Sequence, residues 1–489
     1  MLRYQAFVMR LYGPLLGALW AWGGCATAPP ARLPEPSASA AARPRKAPNV
    51  IFIMADDLGY GHLGSYGQTR IETPHLDRMA AEGMRFTQYY AGSKVCAPSR
   101  SVLMTGLHTG HTSVRDNSGA VPLLDEDITL AERLRPLGYK TALFGKWGLG
   151  DVGSAGVPWQ QGFDEFFGYL HQVHAHYYYP AFLWHKAEKV AFPENADDRK
   201  GRYAHDAIMD EALAWLERNH ERPFFLYLPV TIPHTELQAP EDALAAYAGR
   251  FPEPTPFVGT HHLAPQPRPR TALAAMISRL DRDVGRLLAL LRRLGLAEDT
   301  VVFFTSDNGA SDDMSDATFF AANGPLRGHK RELYEGGIRV PLIVWGPSRI
   351  PKGRVSAHVF AAWDVLPTLV DLAGGEVPVG IDGVSVLPTL TGGTQAEMPF
   401  LYWEAGGERK LAQAVRHGSW KGLRVEPGAP LRLFDLRVDL AEAHDVSAQH
   451  PEVVETLESF LRQARRPPRP YPPTLPLYDY ERKATGFVN

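Results

Sequence analysis

The stretch of residues 49–57, NVIFIMADD, decides the fold class of this sequence. Its core, Val50–Met54, is apolar at every position and is followed by two aspartates, Asp56 and Asp57. A continuous apolar run of this length is typical of a strand that is buried on both faces, as in a parallel sheet. The sequence therefore predicts a buried strand that carries a pair of carboxylates at its carboxyl end.

Three further runs of this kind follow along the chain, and each leads into polar residues. They are Thr141–Phe144 before Lys146, Phe224–Leu228 before His234, and Val301–Thr305 before Asp307 and Asn308. Helical patterns lie between the runs, at Thr73–Gly83, Ile128–Leu137, Tyr203–Asn219 and Ala272–Leu294. Strands that alternate with helices indicate a doubly wound α/β domain, whose ligand crevice lies beyond the carboxyl ends of its strands. We therefore expect the polar residues to meet at one edge of the sheet.

The character of the sequence changes after about residue 372, where glycine and proline become more frequent. Four short runs predict antiparallel strands, and a later amphipathic segment predicts a helix: Phe400–Trp403, Leu411–Val415, Trp420–Arg424, Leu431–Leu436 and Pro451–Ala464. We interpret this part as a smaller α+β domain that ends in a proline-rich tail. The predicted division is a leader at 1–25, a tether at 26–47, a catalytic domain at 48–375 and a C-terminal subdomain at 376–489.

Composition excludes several classes of protein. The 489 residues are 45% hydrophobic and 21% charged, which is typical of a globular chain long enough for one large core and a smaller one. The formal net charge of -3 provides no basic surplus, and we expect no nucleic-acid partner. The two cysteines, Cys25 and Cys96, cannot form a disulfide framework.

The first residues predict export. Arg3 and Arg10 precede the apolar stretch Leu11–Trp22, which is too short to span a bilayer comfortably but suits the core of a signal peptide. Small residues then precede Cys25, as at a bacterial lipoprotein cleavage site; ordinary secretory cleavage after Cys25 is the alternative. We expect a periplasmic or cell-surface protein, with a lipid anchor on Cys25 as one form of it.

The polar ends of the first and last runs suit a hard metal ion. Asp56, Asp57, Asp307 and Asn308 offer oxygen ligands only, and oxygen selects calcium or magnesium over zinc or copper. A flexible site with several carboxylates suits calcium better, since magnesium retains its waters. One such pair alone would indicate a helix cap or a turn, but two pairs on two strands favour a metal site.

Cys96 lies in the segment 93–106, SKVCAPSRSVLMTG. Pro98 predicts the start of a helix, which places Cys96 just before a helix N-terminus, a position that favours an anion. A lone cysteine is usually a buried apolar residue, and a thiol nucleophile would need a histidine base that the local sequence lacks. The residues alone therefore indicate an anion site beside a special cysteine.

The segment CAPSR at 96–100 matches the Cys-x-Pro-Ser-Arg signature of the type I, formylglycine-dependent sulfatases, and the Thr-Gly at 105–106 also fits. Further segments agree with that family in the same order: NVIFIMADDLGYG, PLLDEDITLAERLRPLGYKTALFGKW, the Pro-His of TIPHTE, FFTSDNG and GPLRGHKRELYEGGIRVPLIVWGP. From about residue 48 through the C-terminal helix, the chain resembles an arylsulfatase-like member of the alkaline phosphatase superfamily.

This resemblance implies a fold and a reaction. The fold would be α/β and alkaline-phosphatase-like, with a large mixed, mostly parallel sheet sandwiched by helices and a smaller C-terminal α+β domain. The reaction would be hydrolysis of the sulfate ester of a small molecule or glycan. A formylglycine-generating or equivalent maturation enzyme would first oxidise Cys96 to formylglycine, whose hydrate is the nucleophile.

The resemblance also assigns roles to single residues. Asp56, Asp57, Asp307 and Asn308 match the calcium ligands of the family, together with the modified Cys96. Arg100 matches the residue that steadies the formylglycine hydrate. Lys146 and Lys330 match the lysines that hold the sulfate, and His234 matches the histidine on the side of the leaving group.

One position departs from the family pattern. Many members have Gly-Lys-Trp-His where this chain has Gly-Lys-Trp-Gly, so that Gly148 replaces a histidine assigned to the formylglycine side. Three histidines follow at 171–176, HQVHAH. We predict that His174 or His176 fills the space beside Gly148 and lines the substrate pocket; a polar aromatic loop is the alternative.

Two other functions compete with that of a sulfatase. One is a phosphonate monoester or phosphodiester hydrolase of the same superfamily, since some of these share the cysteine signature. The other is a catalytically silent lipoprotein that binds sulfated glycans, with Gly148 as a sign of lost activity. The intact set of predicted site residues argues against the silent protein.

Overall fold

The computed structural model describes residues 47–117, 121–260, 263–314, 316–407 and 410–469. These residues belong to one compact unit. The predicted leader with Cys25, nearly all of the predicted tether and the proline-rich tail lie outside the described residues. Within the described ranges, no helix is both long and apolar enough to cross a membrane.

The larger sheet has the four predicted runs at its centre. Its strands are β1 Asn49–Ala55, β2 Met84–Tyr90, β3 Lys140–Lys146, β4 Glu165–Tyr169, β5 Phe182–His185, β6 Glu188–Ala191, β7 Phe224–Pro229, β8 Thr300–Ser306, β9 Arg339–Trp345, β10 Arg354–Ser356 and β11 Phe360–Ala361. Their order is β10-β2-β9-β8-β1-β7-β3-β4-β5-β6, with β11 beside β2. Neighbours are parallel from β8 to β4, whereas β9 is antiparallel to both β8 and β2.

Helices cover both faces of this sheet because its central strands are apolar on both sides. The helices are α1 Pro74–Glu82, α2 Cys96–Thr105, α3 Leu130–Leu134, α4 Ala204–Arg218, α5 Glu241–Ala245, α6 Pro269–Arg293, α7 Glu335–Ile338, α8 Val365–Leu372, α9 Leu387–Leu390 and α10 Pro451–Gln463. In β1, Val50 and Phe52 face a core shared with α2, α3 and α8, while Ile51 and Ile53 face a core shared with α1, α4 and α6. The predicted α/β fold is confirmed.

The smaller sheet is antiparallel and comes from the C-terminal part of the chain. Its strands, in sheet order, are β12 Leu401–Ala405, β13 Ala412–His417, β14 Trp420–Arg424 and β15 Arg432–Asp435. One face packs against α10 through Leu457 and Leu461. The other joins the main core, where the indole of Trp403 donates to the carbonyl of Ala91 at 2.9 Å. The boundary predicted between residues 375 and 376 stays a prediction.

Candidate active site at the sheet edge

The parallel centre of the larger sheet brings the predicted polar residues to one edge. Ala55 of β1 pairs with Ser306 of β8, so Asp56 and Asp307 follow neighbouring strands side by side. Lys146 is the last residue of β3, and His234 follows the end of β7. Four separate strands therefore supply one cluster, as expected for the carboxyl edge of a parallel sheet.

Cys96 lies in the first turn of α2 instead of just before it, because the helix begins two residues before Pro98. Its side chain is 1% exposed, and its Sγ lies 3.4 Å from Asp56 Oδ1. The backbone amide of Ala97 donates to the side chain of Asn117 at 2.9 Å. Burial raises the pKa of the Cys96 thiol, and the charge of Asp56 raises it further, so an unmodified cysteine stays neutral here.

Arg100, on the next turn of α2, joins three of the strand ends. Its guanidinium is fully buried and donates to the carbonyl oxygen of Lys146 at 2.6 Å. It also donates to Asp307 Oδ2 at 2.8 Å and to Asp56 Oδ2 at 3.3 Å. The helix that carries Cys96 is thereby fixed to β1, β3 and β8.

Two lysines complete the charges of the cluster. Lys146 Nζ lies 2.6 Å from Asp56 Oδ2, and Lys330 Nζ lies 2.8 Å from Asp57 Oδ2. Although burial disfavours its charge, the neighbouring Asp57 raises the pKa of Lys330. The ammonium group of Lys330 is therefore held charged beside Asp57.

His234 is paired with one of these lysines. Its Nε2 lies 2.8 Å from Lys330 Nζ and 3.5 Å from Asp57 Oδ2, while its Nδ1 contacts the carbonyl oxygen of Thr235. Because a carbonyl only accepts, Nδ1 carries the proton and Nε2 accepts from Lys330. Burial, and then the charge of Lys330, lowers the pKa of His234 well below its usual value, which favours the neutral ring.

The oxygen atoms of this cluster fit a hard cation. Ligand atoms of Asp56, Asp57, Cys96 and His234 all lie within 4.8 Å of one another. Asp307 Oδ1 accepts from the backbone amide of Asp57 at 3.2 Å, so it adjoins the same group. Burial raises the pKa of Asp307 to about 6 and that of Asp57 above its usual value, and the charge of Asp56 adds to both effects. A divalent ion would relieve the electrostatic repulsion between these three carboxylates.

The side chain of Asn308 has a buried oxygen atom that the described part of the chain does not satisfy. Its Nδ2 donates to Asp57 Oδ1 at 2.7 Å, whereas its buried Oδ1 has no hydrogen-bond partner in the described part of the chain. Asp57 itself has a φ of 64°, a left-handed conformation that costs free energy in a non-glycine residue. An amide oxygen and carboxylate oxygens are ligands that suit calcium. The ring nitrogen Nε2 of His234 does not add to this set, because it already accepts a hydrogen bond from Lys330.

Gly148 is where the structure corrects the sequence interpretation. A Cβ built on Gly148 would lie 2.2 Å from Nε2 of Gln172, and Gly148 has a φ of 77°. The side chain of Gln172, and not that of His174 or His176, fills the space beside Gly148. The backbone amide of Gly148 donates to the carbonyl oxygen of Leu170 at 3.0 Å, and this bond brings the residues after Leu170 close to Gly148. Both amide atoms of Gln172 are buried and lack a hydrogen-bond partner among the described residues.

The two histidines themselves lie in different surroundings. The ring of His174 is fully buried beside Tyr169 and Phe182, at centroid distances of 5.0 and 4.7 Å. The ring of His176 stacks on that of His234, with centroids 4.8 Å apart and planes 20° apart. His176 is therefore part of the site, while His174 is packed behind it. Sequence reasoning missed Gln172, which lies inside the same six-residue segment.

A buried, carboxylate-rich cluster on an alkaline-phosphatase-like sheet defines a hydrolase of charged esters. The family model described as Sulfatase matches residues 48–375, and the chain belongs to this family. A second family model, described as N-sulphoglucosamine sulphohydrolase, C-terminal, matches residues 328–467. The protein is accordingly a sulfuric ester hydrolase.

Individual relatives cover most of the chain. It is 34% identical to the N-acetylgalactosamine-6-sulfatase of Canis lupus familiaris, over 76% of this chain and 71% of the relative. It is 32% identical to the arylsulfatase A of Homo sapiens, over 86% of this chain and 88% of the relative. Both relatives are sulfatases, in agreement with the family assignment.

Solved structures agree in fold. The crystal structure of Ps i-CgsB in complex with k-i-k-neocarrahexaose superposes with a TM-score of 0.74 at 28% identity, over 86% of this chain and 93% of that one. The phosphonate monoester hydrolase of Agrobacterium radiobacter superposes with a TM-score of 0.64 at 21% identity, over 85% and 95%. The second likeness concerns the fold alone.

Proposed function

We propose that this sulfatase removes sulfate from sulfated carbohydrates, with a formylglycine made from Cys96 beside a calcium ion. The observation that carries the proposal is the position of Cys96, whose Sγ lies 3.4 Å from Asp56 within a ring of carboxylates and lysines. The sugar named in the N-acetylgalactosamine-6-sulfatase relative and the k-i-k-neocarrahexaose in the complex of the 28%-identical structure support a carbohydrate substrate.

The residues around Cys96 suit a nucleophile that is formed by modification. The hydrate of a formylglycine would supply the attacking hydroxyl group, and a calcium ion would neutralise negative charge on the sulfate. Arg100 is fixed by Asp307 and Asp56 and can steady a hydroxyl on the modified side chain. Asp56, Asp57, Asp307 and Asn308 would hold the ion; their crowding and the unpartnered Asn308 Oδ1 support this set.

The two lysines would bind the sulfate group, and Lys330 would also supply a proton. Lys146, at the end of β3, and Lys330, in the segment between β8 and β9, both reach the cluster. They would bind the oxygens of the sulfate, where negative charge develops as the ester bond breaks. The departing alcohol oxygen needs a proton. Lys330 holds one between Asp57 and His234 Nε2, so this pair is placed to deliver it.

Release of sulfate from the enzyme needs a base that Gly148 cannot provide. An amide does not accept a proton at neutral pH, so Gln172 can orient a hydroxyl or a sulfate oxygen but cannot act as that base. His176, stacked on His234 with a buried and unpartnered Nδ1 among the described residues, is our candidate for it. His176→Gln should give a burst of alcohol followed by a slow steady rate. His174→Gln should mainly lower stability, and equal bursts in both variants would contradict this division.

Two measurements test the reaction. Peptide mass spectrometry of the segment around Cys96 should show an aldehyde or its hydrate in place of the thiol. The same preparation should then hydrolyse sulfated sugars faster than the matching phosphate or phosphonate esters. Full activity from protein that carries only unmodified cysteine would refute the formylglycine, and faster phosphonate hydrolysis would favour the alternative enzyme.

Export and maturation complete the proposal. We propose a periplasmic or cell-surface enzyme that depends on a formylglycine-generating or equivalent partner, with a lipid anchor on Cys25 as one form. Support comes from the sequence of the first 25 residues. Cell fractionation, together with mass analysis of the mature N-terminus, distinguishes the anchored form from one cleaved after Cys25.

A further inference from the structure

A pocket of about 460 Å³ lies beside the His234 side of the site. This volume falls within the range of pockets that hold small ligands. Its lining includes Tyr177, which follows His176, and Glu236, which lies two residues after His234. The intervening Tyr178 donates from its hydroxyl to the carbonyl oxygen of His234 at 2.8 Å, so both wall segments are held together. The chain segments that line the pocket therefore also carry His176 and His234.

The lining of this pocket suits a sugar ring. Tyr179 is half-buried and offers an aromatic surface for the apolar face of a sugar. The amides of Asn195 and Gln238 also line the pocket. They are held by the backbone: Asn195 Nδ2 donates to the carbonyl of Pro180 at 2.8 Å, and Gln238 Nε2 to that of Pro265 at 3.4 Å. Asn195 also bonds to the backbone of Arg202 through its amide nitrogen and oxygen, so it shapes the wall, and Tyr179 offers the surface for the sugar.

Two consecutive cations border the same pocket. Arg199 and Lys200 are exposed, and neither has a carboxylate within ion-pair distance in the described ranges of the chain. Arg199 donates to the backbone carbonyls of Ala196 and Pro193, and Lys200 donates to Gln238 Oε1 at 2.6 Å.

Two acidic residues line the pocket as well. Glu236 is only 3% exposed and accepts from the amide of Ala264 at 2.6 Å, while Asp198 lies exposed at the rim. Oε1 of Glu236 is thus held by the chain, and Arg199 and Lys200, which form no ion pair with the described residues, can meet an anionic ligand.

We propose that this pocket binds the sugar next to the sulfated one, and that Arg199 and Lys200 recognise a second anionic group on that sugar. The inference rests on the proposed function, because it places the reacting sulfate at Lys330 and His234. The preferred substrate is then an acidic oligosaccharide, in which a carboxylate or a second sulfate lies one sugar away from the ester. A single sulfated sugar has no second anionic group for Arg199 and Lys200, so it binds more weakly than the acidic oligosaccharide.

Binding to the Cys96→Ala protein tests this without turnover. The probe is a tetrasaccharide of alternating glucuronic acid and 6-sulfated N-acetylgalactosamine, compared with its carboxyl-reduced form by titration calorimetry. The parent should prefer the carboxylated probe, and adding Arg199→Ala and Lys200→Met should reduce that preference roughly tenfold. A fully sulfated probe without carboxylates distinguishes a sulfate from a carboxylate as the second anion.

The control is Lys352→Met, which removes another exposed lysine, in the turn between β9 and β10. It should leave the preference unchanged. The pocket assignment is overturned if the parent does not distinguish the acidic probes from the reduced one, or if the Arg199 and Lys200 changes leave the preference intact. Failure of the modified wild-type enzyme to hydrolyse any sulfate ester would instead refute the proposed function, whatever the binding data.

Discussion

Two buried clusters of charge in this protein differ in how completely they are satisfied. The first is the active-site cluster described above. The second, which we term the Glu335 network, consists of Glu335, Glu442, Lys421, Arg339 and Tyr90 and links the smaller sheet to α7 and β9. In it, Glu335 Oε1 pairs with Lys421 at 3.0 Å, and Oε2 accepts from Tyr90 at 2.6 Å and from Arg339 at 3.2 Å. Lys421 also pairs with Glu442 at 2.9 Å.

The active-site cluster is equally buried but leaves polar atoms without partners. Among the described residues these include Asn308 Oδ1, Arg100 Nε and both amide atoms of Gln172. Asp57 also keeps an unfavourable backbone conformation, with a φ of 64°. Unpaired buried polar atoms cost free energy unless a ligand satisfies them. The charged groups of the Glu335 network all pair within the protein, although Glu442 Oε1 meets Lys421 as an ion pair without a hydrogen bond. The active site instead leaves polar atoms that a bound ion and substrate would satisfy.

The largest effect that this contrast predicts is on turnover. Cys96→Ala should lower kcat by roughly 10³- to 10⁶-fold, because alanine lacks the thiol from which the proposed formylglycine is made. The free energy of unfolding should change little, since alanine fits the space of the small thiol. Cys25→Ala is the matched control and should keep full turnover. Substantial activity of Cys96→Ala would break the assignment of the site.

Removal of the metal should have the next largest effect. Exhaustive chelation should abolish activity, with calcium or magnesium restoring it and zinc failing, because the ligands are oxygen atoms. Asp307→Ala should lower kcat/KM by roughly a hundredfold or more. Asp313→Ala, which removes an exposed carboxylate paired with Arg331, is the control and should have little effect. Stoichiometric zinc in a fully active preparation would contradict the ligand set.

Breaking the Glu335 network should instead affect folding. Lys421→Met leaves Glu335 and Glu442 buried without their shared cation and should lower the free energy of unfolding by about 3–5 kcal/mol. Denaturant titration measures this loss, and the exposed Lys352→Met serves as the control. Molecules that remain folded should keep their turnover. If Lys421→Met lowers kcat and leaves the free energy of unfolding unchanged, the assignment of a structural role to the Glu335 network is wrong.

Two glycines with similar backbone conformations, Gly148 and Gly138, allow a test of the role of Gln172. Gly148 and Gly138 have φ values of 77° and 88°, but a Cβ would meet Gln172 only at Gly148, since nothing lies within 4 Å at Gly138. Alanine at either position should cost about 1–2 kcal/mol through backbone strain. Gly148→Ala should in addition displace Gln172 and lower turnover, whereas Gly138→Ala should keep it. Equal turnover in both variants would show that the amide of Gln172 has no part in the reaction.

The sequence predicts most of the central sheet because burial on both faces leaves a readable pattern. The runs that became β1, β3, β7 and β8 are mostly apolar, and the polar residues that follow them do meet. The antiparallel β9 was not predicted; it contains Pro341, which cannot donate a hydrogen bond to a neighbouring strand. Gln172 could not be found from sequence, because its place beside Gly148 depends on how the loop after β4 returns across β3.

The depth of Cys96 has a consequence for the order of events in the cell. The residue is 1% exposed, and the groups that enclose it come from positions as far apart as Asp56 and Lys330. A maturation enzyme cannot reach the side chain once these strands have closed around it. The proposed oxidation of Cys96 would therefore have to precede folding, and the maturation enzyme would have to recognise a short segment such as residues 96–100. The time available for modification is then set by how long the sheet takes to assemble.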